Sequence, residues 1–401
     1  MPRLASKKML SIRARDIWFN PRSRGLFFQL IVLLSIASFL AFITANTIAN
    51  LQKAGLTAGF EFLTNQAFFD INQRLISFSS QSSFGRALVV GLLNTVLVSS
   101  LGIIAATIIG FLAGILRLSK NWLVSRLVTT YVEITRNVPL LLQIIFWWAT
   151  FTSLPRVRDS VEIFEVFFLN NRGLRGPSPI FEPSFFWVLL TFLIGLVATF
   201  ALALWSRRRQ LETGRTFRVL PMGLVLIVGI PVLIFFGLNE PMVWEIPKRT
   251  RFNFTGGINI TPELLALWVA LATYTGAFIS EIVRAGILSV SVGQTEAAQS
   301  LGLRNKQTMR LIILPQALTH VIPGIVNTFI GLFKDTTLVS IVGIFDLLGA
   351  GQSAIADAAW SSPVQALSIY IYVALLFFIF CFGMSRYSIY MENKLSKSRS
   401  H

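Results

Sequence analysis

Eight long apolar runs decide what this chain can fold into. They lie near residues 26–48, 87–116, 138–154, 184–205, 219–238, 263–283, 321–344 and 364–385. An α-helix rises 1.5 Å per residue and the hydrocarbon core of a bilayer is about 30 Å thick, so about 20 apolar residues make one crossing. The run at 138–154 is short for that purpose. None of the runs shows the alternation of period two that marks a transmembrane barrel strand. Charged residues make up only 13% of the 401-residue chain and hydrophobic ones 54%, against roughly 25% charged in soluble domains. A soluble bundle of this size would lack the polar material to cover its surface. The expectation is an all-α polytopic membrane protein with about eight transmembrane helices and no soluble domain.

The net charge of +17 would suit a nucleic-acid binder if it formed one patch. The basic residues instead fall in short runs between the apolar stretches, so membrane lipid is the expected surroundings and no nucleic-acid partner is expected. With the N-terminus inside, segment 1–25, the loops 117–137, 206–218 and 284–320 and the tail from 386 hold 24 Lys and Arg. The loops on the other side, 49–86, 155–183, 239–262 and 345–363, hold 10. Basic residues resist translocation, which places both termini in the cytoplasm. The basic lead from Arg3 to Arg24 is long and no A-x-A site follows the first run. That run is therefore expected to stay as a helix and not to be cleaved as a signal peptide. Cys381 is the one cysteine, and His320 and His401 are far apart, so neither a disulfide nor a metal-ligand spacing is present.

The segment between the sixth and seventh runs reads RAGILSVSVGQTEAAQSLGLRNKQTMRLIILPQAL. It is longer and more patterned than a connection needs to be. Thr295 as a cap and Glu296 in the first turn are expected to start a short helix. Ala297, Ala298 and Leu301 give it a small apolar face, and Gly302 is expected to end it. A second helix is expected from about Asn305, closed by Pro315. A short helix on the cytoplasmic surface offers a handle by which a soluble partner can rock the bundle. The plain alternative is a surface helix with no partner.

This segment resembles the EAA loop of ABC-importer permeases, with Gly293, Glu296, Ala297, Ala298, Gly302 and Pro315 as the ATPase-coupling residues that the resemblance implies. GLLNTVLVSSLGIIAATIIG at 91–110, YVEITRNVPLLLQI at 131–144, FISEIVRAGI at 278–287 and NTFIGLFKDTTLVSIVG at 327–343 look like the polar-amino-acid branch of that family. The whole pattern is similar to the long permease subunits of general or neutral L-amino-acid importers. Ser291 and Thr295 stand where the family often has Pro and Trp. The resemblance implies a type I ABC importer permease (MetI-like) core with extra helices. On that reading, 1–86 is a cytoplasmic N-terminus, first transmembrane helix and external loop. Residues 87–390 form the transmembrane domain, with its core at 87–154 and 263–390 and a helical insertion at 155–262, and 391–401 is a cytoplasmic tail.

The dipeptide Gly-Lys occurs nowhere, so the chain has no phosphate-binding loop of the G-x-x-x-x-G-K-[ST] kind. It is expected to be a transporter subunit and not an enzyme, binding no cofactor of its own. By resemblance, ATP with Mg is used by two partner ABC ATPase subunits. A second permease subunit, identical or related, and an external amino-acid-binding protein complete the assembly. The location implied is the bacterial inner membrane.

Ionisable residues inside spans are costly and mark functional sites. Glu281 stands in the sixth run, Lys334 and Asp335 in the seventh. Glu281 has a structural alternative, an ion pair with Arg284 one turn on. Lys334 and Asp335 are neighbours, so on a helix they point about 100° apart and at most one faces a path. A zwitterionic amino acid needs an acidic partner for its ammonium and basic or hydroxyl groups for its carboxylate. Tyr274, Thr275, Asn327 and Thr336 add neutral hydrogen-bonding groups on the same two runs, though such residues also glue helices together. Gly276 would permit close approach or unwinding, and Gly110-x-x-x-Gly114 reads as helix packing. An ion-driven secondary transporter is the alternative. It would show inverted repeats and need no docking loop, and the chain has no evident repeat and does have the loop.

Overall fold

The computed structural model describes residues 21–53, 60–214, 217–250, 253–356 and 363–397. The basic lead before Pro21 and the last four residues lie outside that set. The chain is mostly helical, and among the described residues seven helices are long and apolar enough to cross a membrane. They include α1 (Pro21–Lys53) and α2 (Phe84–Leu116). The start of α2 is fixed by Ser83, whose hydroxyl accepts from the backbone of Arg86.

The third expected crossing is divided. An amphipathic helix α3 (Trp122–Asn137) and an apolar α4 (Leu140–Thr152) are separated at Val138-Pro139. Proline has no N–H and pushes the residue before it into the extended region, and Val138 is extended at φ −98° and ψ 127°. The 13 residues of α4 reach only about 20 Å, short of a full crossing.

Next come α5 (Phe185–Thr213), α6 (Val219–Gly237) and α7 (Pro262–Leu288). Thr261 caps α7, accepting from the backbone of Leu264. The loop region holds α8 (Val292–Ser300), followed by a helical lead-in (Asn305–Thr308), a π-helical turn (Met309–Ile313) and α9 (Leu314–Asp335). A 3₁₀ segment (Thr336–Val342) continues α9, and α10 (Leu347–Ala356) and α11 (Pro363–Lys397) complete the chain. The seventh expected run, 321–344, thus ends as a 3₁₀ turn closed by Gly343, and its α-helix begins earlier than the apolar stretch does.

The bundle centres on α7, which has the most deeply buried window of the seven spans. It crosses α2 at close range. A Cβ on Gly110 would stand 2.4 Å from Ile279 Cγ2, one on Gly114 2.8 Å from Val283, and one on Gly276 2.9 Å from Ile109. Small residues let backbones approach where lipid offers no hydrophobic drive for association. Gly276 therefore serves close approach inside a continuous helix, and α7 does not unwind there. Leu264, Leu267, Leu271, Ile279 and Val283 of α7 join Val98, Ile144, Val321 and Leu332 in one core. A second core lies outward, where Phe62, Ile71 and Phe84 pack on Leu347 and Ile369.

The segments around α5 and α6 also build something the apolar pattern does not announce. Strands β1 (Val161–Ile163), β2 (Phe167–Asn170), β3 (Gly173–Gly176) and β8 (Ile258–Ile260) form a four-stranded antiparallel sheet. Leu169 pairs with Leu174, and Leu174 with Ile260. Strands β4 (Ser178–Phe181) and β5 (Met242–Glu245) pair with each other, as do β6 (Lys248–Arg249) and β7 (Phe254–Thr255). Val157, Phe168 and Phe254 are the small core of this cap, which leads directly into α7.

Candidate functional site

The helix in the long loop begins three residues before the expected cap. Its N-cap is Ser291, with no side-chain cap bond, and Thr295 lies inside it. Its end follows expectation. Gly302 is left-handed at φ +78°, its N–H donates to Gln299 O at 2.9 Å, and Leu303 N–H donates to Ala298 O at 3.1 Å. These two bonds form a Schellman turn, which satisfies carbonyls the helix leaves open. Pro315 does not close the second helix. The turn before it widens, with Leu314 N–H bonding Met309 O, and α9 carries on through the proline. The widened turn absorbs the backbone bond that a proline removes.

Ala298 is buried in this module, whereas Gly293, Glu296, Ala297, Gly302 and Pro315 are exposed. Gln316 donates to Gln294 at 3.2 Å, which ties α8 to the start of α9. Leu301 is 83% exposed and Val292 71% exposed. These two exposed apolar side chains stand at the two ends of the short helix.

Deeper in the bundle the polar residues separate into two groups. Glu281 sits among three arginines, Arg117 at 2.5 Å, Arg284 at 2.6 Å and Arg136 at 3.6 Å. Arg284 is the partner named from sequence; Arg117 and Arg136 come from α2 and α3. The Arg136 guanidinium also lies 5.1 Å from the Phe278 ring, which packs on Tyr274 at 4.9 Å. The second group stands at the end of α9. Asp335 is half-buried and within electrostatic range of Tyr274. Lys334 is exposed and within range of Cys381 on α11. Among the described residues neither of the two neighbours makes an ion pair.

The neutral candidates are placed unevenly. Thr275 is buried on α7, and Asn327 is exposed on α9, two turns before Asp335. Thr336 is fully buried, and its hydroxyl donates to Phe333 O at 2.8 Å. The structure also gives a role to residues the sequence left unassigned. Asn94 donates to Gln73 O at 2.7 Å and Phe345 O at 3.0 Å, and Thr95 accepts from Leu347 N–H at 3.1 Å. Together they lock the outer segments onto α2.

Comparison with known proteins adds the following. Residues 211–390 match the family model "Binding-protein-dependent transport system inner membrane component". The chain is 40% identical over 362 residues to the general L-amino acid transport system permease protein AapQ of Rhizobium johnstonii, covering 90% of each chain. It is 38% identical over 364 residues to BztB of Rhodobacter capsulatus, a glutamate/glutamine/aspartate/asparagine transport system permease protein, covering 82% of this chain and 85% of that one. It also matches BztC of that same system, 41% identical over 44% of this chain and 39% of that one.

Proposed function

This chain belongs to the permease family of ABC amino-acid importers, and we propose how its residues divide the work of such a system. It is the membrane-spanning subunit, a multi-pass inner-membrane protein, and hydrolysis of ATP belongs to partner subunits. The cargo is L-amino acids over a broad range, neutral and polar ones first, in keeping with the general transport named for the relative at 40% identity.

Coupling runs through α8 and its turn. Two ABC ATPase subunits, each using ATP with Mg, receive Glu296 and Ala297 together with the apolar side chains at either end of the helix, while Ala298 anchors it. The observation that carries this reading is Leu301, 83% exposed beside a turn made rigid by two backbone bonds. The second permease subunit is a related chain rather than a copy, a reading supported by the similarity to two differently named permeases of one system. An external binding protein delivers the amino acid.

The path passes between α7 and α9, where the Asp335 carboxylate, within electrostatic range of Tyr274, can meet an ammonium group. Asn327 and Thr275 supply neutral bonds. Arg136, above Phe278 and beside Glu281, presents positive charge two turns along α7 for a carboxylate. Uptake of labelled amino acids by the assembled importer in proteoliposomes tests the reading, with Glu281→Gln, Lys334→Ala and Asp335→Ala variants normalised to protein amount. Asp335→Ala should insert normally and change the pattern of amino acids accepted. Unchanged uptake in all three removes these residues from the path. Uptake that persists without ATP under an ion gradient would establish a secondary transporter instead.

A further inference from the structure

We propose that the basic cleft of the external cap docks an acidic face of the solute-binding protein that serves this importer, a proposal that rests on the family reading above. The cleft has a volume of about 770 Å³, and its charged lining consists of Arg156, Arg158, Arg172, Arg249 and the single acid Asp159. Arg249 is spoken for in part, by Glu162 at 3.2 Å. Among the described residues Arg156, Arg158 and Arg172 have no ion-pair partner.

The cap holds these arginines on a fixed frame. Asn171 N–H donates to Pro155 O at 2.9 Å, and Asp159 N–H to Arg156 O at 2.8 Å. Arg172 N–H donates to the Asn170 side chain at 2.9 Å, and Asn170 is itself buried and bonded to Ser160 at 3.3 Å. Val157 lies between the two arginines of its segment and fills the cap core against Phe168 and Phe254. Arg156, Arg158 and Arg172 are thereby carried on one fixed backbone frame around the cleft, on the side of the membrane to which basic residues are translocated reluctantly. Such an arrangement offers a positive surface to a partner of opposite charge.

Exposure points to a protein and not to a free anion. All four arginines of the cleft are exposed, and a single carboxylate on an exposed guanidinium gains only about 0–1 kcal/mol in water. A protein surface bearing several carboxylates engages them at once, and the field of the cleft steers its approach.

The test uses the importer assembled in lipid nanodiscs with its own binding protein. Replacing Arg156, Arg158 and Arg172 together by Glu should weaken the binding-protein Kd by about tenfold or more at low ionic strength, since rim charges govern salt-dependent association. The wild-type affinity should fall steeply with added salt and that of the variant much less, with basal ATPase activity unchanged. The corresponding Gln triple variant should give an intermediate Kd and serves as the measurement if the Glu form fails to assemble. Equal Kd and equal salt slope in wild type and variant would overturn the proposal. So would weakened uptake with unchanged binding-protein affinity, which would assign the cleft to a free carboxylate. If the wild type itself neither transports amino acids nor binds that protein, the family reading fails and not the cleft alone.

Discussion

Arg117, at the end of α2, donates a 2.5 Å hydrogen bond to Glu281 of α7, although 164 residues separate the two in the chain. Arg284 and Arg136 complete the surroundings of the same carboxylate, so one side chain ties α2, α3 and α7 together eleven residues before the loop helix begins. Breaking a buried pair by removing one partner costs about 3–5 kcal/mol because an unpaired charge remains. Glu281→Ala leaves three arginines facing one another and should lower thermal stability most. Arg117→Ala removes the more deeply buried partner, at 9% side-chain exposure, and should come second. Arg136→Ala, at 39% exposure and 3.6 Å, should cost least. Thermal unfolding of the solubilised protein gives the order, and an Arg136 variant less stable than the Glu281 variant would contradict it.

Gly302 predicts a sharper contrast. Nothing lies within 4 Å of a Cβ placed there, so the cost of substitution is the left-handed backbone alone, about 1–2 kcal/mol for ordinary residues and least for Asn. Gly302→Val should insert normally but lose uptake and co-purification with the ATPase, while Gly302→Asn should retain most of both. Equal behaviour of the two variants would remove the turn from the coupling step.

The contact of α2 with α7 predicts a packing response. Gly110→Ala puts a methyl group 2.4 Å from Ile279 Cγ2 and 2.9 Å from Gly276 O, and overpacking typically costs about 1–3 kcal/mol. Gly383→Ala, with nothing within 4 Å of the new carbon, should be close to neutral. Melting curves of the two variants decide the matter.

Topology gives a fourth check. A reporter fused after residue 260 should be active on the external side, and one fused after residue 212 on the cytoplasmic side, as the 24-to-10 basic asymmetry requires. Reversal at either position would assign α5 and α6 the opposite direction.

The elements that could be read from the sequence are those whose signal is local and long. Apolar length marks the spans, Gly302 marks its own turn, and Gly110 and Gly114 mark a helix contact. The cap could not be read this way. Its strands are two to four residues long, as at Lys248–Arg249 and Val161–Ile163, and a period needs about four to eight residues to declare itself. Arg117 and Glu281 likewise have no spacing relation that a sequence window could hold. Thr295 and Pro315 misled for another reason. Each is a common end signal, yet the helix starts at Val292 without a side-chain cap, and a widened turn carries the next helix past the proline.

The first helix carries a consequence of its own. Its apolar stretch, Arg24–Asn50, is 27 residues long, and none of it is buried against the described residues. It measures about 40 Å against a hydrocarbon thickness of about 30 Å, and a surplus of that kind is accommodated by tilt or by local thickening of the lipid. Bilayer thickness therefore bears on the inclination of this helix, and thinner and thicker bilayers should hold the same chain in different postures.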